Sequence, residues 1–203
     1  MLFKLSAAMA VSASAFTCIP AQASVETANA SAEQTVQVGG RHLRLNGAGV
    51  GTRLLFKVYA MGLYLPDRRE TVQDILKQDE PRRMVIKMLR NVDSASFSEV
   101  LMEYVREDGA ELKPHVIGSM LYLARLISEQ PQGLRTGDTL TLDWIPGTGT
   151  VIELNKRAVS EPMRGADFYT ALLNIWLGEK PADPLLKTHL LGNAQGYMLR
   201  TSK

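Results

Sequence analysis

From Arg53 to Leu65 the chain runs RLLFKVYAMGLYL, almost continuously apolar, and stops only at Pro66-Asp67. Few folds can absorb such a segment. Its even positions (Leu54, Phe56, Val58, Ala60, Gly62 and Tyr64) form one nearly all-apolar face. Its odd positions (Arg53, Leu55, Lys57, Tyr59, Met61 and Leu63) form a mixed one. The period of two predicts one long strand, covered on both faces, with polar tips on one face only. Such a strand requires a sheet with a second layer packed against it.

The flanking sequence supplies both layers. Val36-Gln37-Val38 and His42 to Leu45 alternate on either side of a Gly39-Gly40 turn and predict a hairpin whose second strand stops before Asn46-Gly47. Thr71 caps a short helix with Val72, Ile75 and Leu76 on one side, and Met84 to Leu89 reads as a further strand. Ser96 and Glu99 stand at capping-box spacing before an apolar stripe of Phe97, Val100, Leu101, Tyr104 and Val105, which Gly109 ends. A second amphipathic helix covers Val116 to Ser128, with Met120, Leu121, Ala124 and Ile127 inward. Strands return at Thr139 to Ile145, Thr150 to Leu154 and Ala158-Val159, joined by Pro146 to Gly149 and by Asn155 to Arg157. A helix from Asp167 stops at Gly178, and a last helix is capped by Asp183 and closes at Gly192. Strands on either side of a helical block predict an α+β fold, with helices on one face of a mostly antiparallel sheet.

Residues 1–23 read as a removable export signal. Lys4 gives the positive start, Leu5 to Phe16 the apolar run and Ala21-Gln22-Ala23 the cleavage pattern, so processing is expected before Ser24. The run is broken by Pro20, too short for a membrane span. Residues 24–35 read as a flexible lead-in and 36–203 as one domain. The single cysteine, Cys18, leaves with the signal, so the domain expected in the periplasm has neither disulfide nor thiolate metal site. Without Lys4, 22 of the 23 basic residues face 21 acidic ones. That overall balance gives no reason to expect nucleic acid or an anionic membrane as partner.

The motifs carry little reaction chemistry. Gly47-Ala48-Gly49-Val50-Gly51 superficially resembles a dinucleotide loop, but a strand rather than a helix follows it, so no cofactor is expected. His42, His115 and His189 share no metal-ligand spacing, and no serine stands in a nucleophile elbow. No catalytic residue is therefore assigned. The mixed face of the long strand offers a guanidinium and a phenol among apolar neighbours, the usual make-up of a small-molecule pocket.

Three stretches carry a family resemblance. Leu45 to Leu65 resembles the first core strands of the bacterial chalcone isomerase-like proteins. Asp143 to Thr150, with Glu161-Pro162 and Gly165 to Tyr169, resembles their C-terminal hairpin and helix, and Ile175 to Pro181 the end of that helix. The likeness runs from about Val36 to Gly192 and implies an open-faced β-sandwich, a large antiparallel sheet covered by a layer of helices. Plant enzymes of the superfamily cyclise chalcones with an arginine after the Gly-rich turn and a threonine in the Lys-Val-Tyr stretch. Other branches bind fatty acids in the same cleft. The arginine position is Gly51 here, with Arg53 two residues on, and the threonine position is Tyr59. A glycine can neither stabilise an enolate nor grip a carboxylate. The resemblance thus implies a binder of an apolar small molecule or fatty acid, with an isomerase or a ligand-free interaction module as rivals. Arg53, Tyr59, Met61 and Tyr104 are its candidate ligand-binding residues. Arg53 is expected near the mouth, holding an anionic group, and Tyr59 deeper beside Met61.

Overall fold

The computed structural model describes residues 32–77, 79–108, 111–130 and 132–193. The export signal and all but the end of the lead-in lie outside these residues, as does Gly109. Seven strands form one antiparallel sheet in chain order: β1 (Thr35–Val38), β2 (Arg41–Arg53), β3 (Phe56–Leu65), β4 (Arg82–Met88), β5 (Thr139–Ile145), β6 (Gly149–Leu154) and β7 (Arg157–Ala158). Among the described residues five helices accompany it: α1 (Val72–Lys77), α2 (Ser94–Asp108), α3 (Pro114–Ser128), α4 (Ala166–Leu177) and α5 (Pro184–Leu190). The α+β architecture expected from the sequence is the one found.

Alternation decides which face of the sheet is covered. Met61, Leu63 and Leu65 of β3 and Met84, Ile86 and Met88 of β4 face the helices with Leu140, Leu142 and Ile152 and are at most 3% exposed. Fully buried Phe168 and Tyr169 bring α4 onto this layer. The other face holds a smaller cluster of Val38, Leu43 and Tyr64, against which Val85 and Ile145 pack. On that face Arg83 and Asp143, cross-strand partners, form a two-point ion pair, with Arg83 Nε donating to Asp143 Oδ1 over 2.7 Å.

Four local expectations are corrected. Asn46-Gly47 does not turn the chain: β2 continues through it with a bulge that leaves Asn46 unpaired. The Asn46 side chain instead ties the edge of the sheet down, donating to the carbonyls of Arg69 and Leu190 and accepting from the Arg69 amide. Secondly, the long apolar run is not one strand. It folds back at Leu54-Leu55, so that Arg53 pairs with Phe56 across a two-residue turn. Both leucines have positive φ, 49° and 70°, a turn geometry that leucine does not signal in a sequence. Thirdly, the cap of α2 is Asp93, whose carboxylate accepts from the Ser96 amide and hydroxyl. Helix α2 starts at Ser94, leaving Ser96 and Glu99 inside it. On α3, Leu123 rather than Leu121 faces the core, Leu121 being 44% exposed.

The glycines of β2 explain how the C-terminal helix reaches the sheet. A Cβ on Gly47 would lie 2.1 Å from the carbonyl oxygen of His189, and one on Gly49 would lie 2.9 Å from the His189 ring. These positions let α5 pack directly on strand backbone.

Candidate functional site

A cleft of about 810 Å³ opens between the sheet and the helices. Ile86 and Met88 of β4 form its floor, Phe97, Val100, Leu101 and Tyr104 of α2 one wall, and Ile175 and Trp176 of α4 the other. The apolar stripe of α2 is thus not wholly core: its half-buried members Phe97, Val100 and Tyr104 face the cleft. Thr52, Arg53 and Val58 line the end nearest the β2–β3 turn.

Tyr59 sits where strand register and glycine meet. It is the cross-strand partner of Gly51, and a bulge at the next step pairs Thr52 with Lys57. That bulge turns both Val58 and Tyr59 toward the cleft. The Tyr59 ring covers the Gly51 backbone so closely that a Cβ there would lie 2.2 Å from the ring. Positions 51 and 59 therefore share one volume, and the Tyr59 ring fills it. Trp176 Nε1 donates to the Tyr59 hydroxyl over 2.9 Å, which leaves the phenolic proton for an acceptor in the cleft. Burial, helped by the charge of Asp183, pushes the Tyr59 phenol up to about 12. It is a neutral hydrogen-bond donor at any physiological pH.

Asp183 fixes the adjoining wall. One carboxylate oxygen caps α5, accepting from the Leu185 and Leu186 amides, and the other accepts from the Thr52 amide and hydroxyl. The end of β2 is therefore held to the start of α5. Arg53 follows Thr52 at the rim, with its side chain 53% exposed and 3.9 Å from Glu99.

Of the four sequence candidates, Arg53, Tyr59 and Tyr104 line the cleft. Met61 is 2% exposed in the helix-facing core and is not among the lining residues. Because the chain turns at Leu54-Leu55, Arg53 and Tyr59 belong to neighbouring strands, and the full-strand separation implied by a continuous segment does not exist. Trp176 was legible as part of the helix that stops at Gly178, and Asp183 as a helix cap. Their roles at the cleft depend on contacts 117 and 131 residues away in the chain, which local pattern does not encode. Among the described residues no cluster of side chains could hold a metal ion, and no helix is long and apolar enough to cross a membrane.

A helix-covered antiparallel sheet with a cleft between the layers is the open-faced β-sandwich architecture. The family model described as chalcone isomerase-like matches residues 24–192, and the chain belongs to that family. Among solved structures it is similar to a fatty-acid binding protein of Arabidopsis thaliana, at 16% identity and a TM-score of 0.59, over 83% of this chain and 94% of that one. No curated protein matches in sequence.

Proposed function

We propose that this protein is an exported, non-catalytic carrier of an apolar small molecule, with a fatty acid as the best-supported class. The observation that carries the reading is the cleft itself. Its floor and the facing helix walls are largely aliphatic and aromatic, with Tyr59 and Arg53 near one end, while Glu103, Glu107, Glu179 and Lys180 add charged groups to the lining. The tail would lie against Ile86, Met88, Val100 and Trp176, with the carboxylate toward the Arg53 rim. The resemblance in fold to a fatty-acid binding protein supports the same reading. Binding is favoured over turnover because Gly51 offers no cation to a developing enolate, and the Tyr59 ring fills the space such a cation would need.

Calorimetric titration of the delipidated protein with a medium-chain fatty acid tests this directly. Val100→Trp, which fills the cleft from the α2 wall, is expected to abolish binding while leaving the far-ultraviolet circular dichroism unchanged. Unaltered affinity in that variant would remove the cleft from the reading. Stereospecific flavanone formation from a chalcone, above the spontaneous rate, would replace it with the isomerase. Export is tested separately: the mature protein should begin at Ser24 or within a residue or two of it, and an intact Met1 on secreted material would refute processing.

A further inference from the structure

Among the described residues the largest concentration of exposed apolar side chains lies beside the mouth of the cleft. Leu54, Leu55 and Phe56, at the β2–β3 turn, are 84%, 100% and 55% exposed. Leu89, whose amide donates to the Val58 carbonyl, adds a fourth partly exposed apolar side chain next to them. Three cations surround this tip. Arg53 precedes it and exposed Lys57 follows it, while the Arg90 guanidinium lies 4.5 Å above the Phe56 ring. Among the described residues Glu99 is the one carboxylate in ion-pair range of these cations, through Arg53. A convex tip of adjacent apolar side chains within a collar of cations is the form of a membrane-interface anchor: the side chains enter the acyl boundary while the cations meet lipid phosphates.

We propose that the Leu54-Leu55-Phe56 tip docks the protein on a bilayer containing anionic lipid, so that the cleft opens at the membrane surface. The geometry couples docking to the cleft, because Thr52 and Arg53 on one side of the tip and Val58 on the other are cleft-lining residues. A ligand with a long apolar tail could then pass between bilayer and cleft without crossing bulk water; this second step rests on the carrier reading above, whereas docking itself does not. A protein partner fits less well. A stable protein interface needs about 800 Å² on each side and a complementary pocket, whereas a turn of three side chains needs only a fluid apolar phase.

The test is co-sedimentation of the full mature protein with vesicles of phosphatidylethanolamine and phosphatidylglycerol, compared with phosphatidylcholine alone. Binding is expected to the anionic vesicles, weaker to the neutral ones, and to fall several-fold as salt screens the collar. The double variant Leu54→Asn/Leu55→Gly should lose about tenfold or more of the vesicle affinity. Its residues suit the positive φ of the turn better than leucine does, so the fold is retained and the loss reports the apolar tip alone. Lys57→Gln combined with Arg90→Gln should reduce binding to anionic vesicles and leave binding to neutral ones unchanged. Titration of each variant with a fluorescent fatty acid in vesicle-free buffer separates the two readings. A turn variant that keeps fatty-acid affinity but not vesicle binding supports docking, and an empty cleft in a vesicle-binding protein refutes only the carrier. Equal vesicle binding by wild type and the turn variant would overturn the proposal, as would no vesicle binding by wild type. A dimer that the turn variant dissociates would make the tip a contact between copies instead.

Discussion

Three hairpins of the sheet close on two-residue turns at positive φ, one of them on Gly39-Gly40, and the other two build the same kind of turn from opposite starting materials. Between β6 and β7 the turn residues are Asn155 and Lys156, with φ of 53° and 66°; between β2 and β3 they are Leu54 and Leu55, with φ of 49° and 70°. Asparagine tolerates the left-handed region, and here its side chain is also used, accepting from the Thr139 amide and donating to Asp138. The leucines have no such interaction and point into solvent. The flanking strands invert this order. Strands β6 and β7 are 6 and 2 residues long, whereas β2 and β3 are 13 and 10 and pack against both helices and a neighbouring strand. A short hairpin depends on good turn chemistry. A long one anchored by packing tolerates a turn that costs about 1–2 kcal/mol per residue in the left-handed region, and its tip is free to be chosen for another purpose.

The largest predicted effect removes the anchoring of the long hairpin. Gly47→Ala would drive a Cβ to within 2.1 Å of the His189 carbonyl oxygen, backbone that belongs to α5 and cannot rotate away. A loss of about 3 kcal/mol is expected, read as a lower urea midpoint at unchanged slope. Gly118→Ala is the control, since nothing lies within 4 Å of that Cβ and α3 gains a better helix former. It should stabilise by about 0.5–1 kcal/mol. Equal effects of the two substitutions would show that β2 is not held against α5.

Alkali tests the same hairpin through Tyr59, for which β6 and β7 offer no counterpart. The phenol titrates near 10 when unfolded and at about 12 when folded. Between these values the unfolded chain releases a proton that the folded chain keeps, so stability is intact below about pH 10 and falls as the pH rises toward 12. A full two-unit shift would correspond to about 2.7 kcal/mol, and residual exposure of the ring reduces the expected loss to about 1–2 kcal/mol. Tyr59→Phe should flatten that part of the pH profile. A profile of identical shape in the variant would mean that another buried phenol, such as Tyr169, dominates the alkaline limb.

Exchanging the turns themselves should give about 1 kcal/mol in opposite directions. Leu54→Asn/Leu55→Gly is expected to raise the thermal midpoint, and Asn155→Leu to lower it, by the removal of strain in one case and of satisfied hydrogen bonds in the other. A midpoint that falls in the first variant would mean that the leucines contribute to the fold through contacts rather than burdening it.

These differences mark what sequence could and could not reveal. The layers were legible because they rest on periodicity: α4 and α5 end where Gly178 and Gly192 stand, and Asp183 caps as its position indicates. The β1–β2 hairpin at Gly39-Gly40 was read correctly, whereas the β2–β3 hairpin was missed because its turn carries no turn residues, and Asn46-Gly47, which looks like a strand stop, is a bulge satisfied from Arg69 and Leu190. At the cleft, side-chain type nominated Arg53, Tyr59 and Tyr104. Met61 lies deep in the core because β3 alternates toward the helices, and a sequence does not say where the covering helices leave a gap. The pairing of Gly51 with Tyr59 has a local signature only in retrospect, a glycine and an aromatic eight residues apart around an unrecognised two-residue turn.

The smallest effect belongs to Arg53, the residue that leads into the leucine turn. A charge-assisted hydrogen bond in a dry pocket contributes about 1.5–3 kcal/mol, the order that would follow if Arg53 held an anionic group away from water. The structure argues for less. The Arg53 side chain is 53% exposed at the rim and lies 3.9 Å from Glu99, so a ligand carboxylate would meet a solvated cation that already has a counter-ion. Exposed pairs of this kind are worth about 0.2–1 kcal/mol, which makes Arg53→Ala about two- to fivefold weaker for a medium-chain fatty acid at low salt, with less difference as salt rises. Glu99→Gln should strengthen binding by a similar factor, because it frees the cation without touching the apolar walls. A hundredfold loss in Arg53→Ala would place the carboxylate deeper, where Arg53 must turn inward past Thr52 to reach it. No change in either variant would leave the Tyr59 hydroxyl as the polar anchor of the cleft, and Tyr59→Phe would then be the substitution that weakens binding.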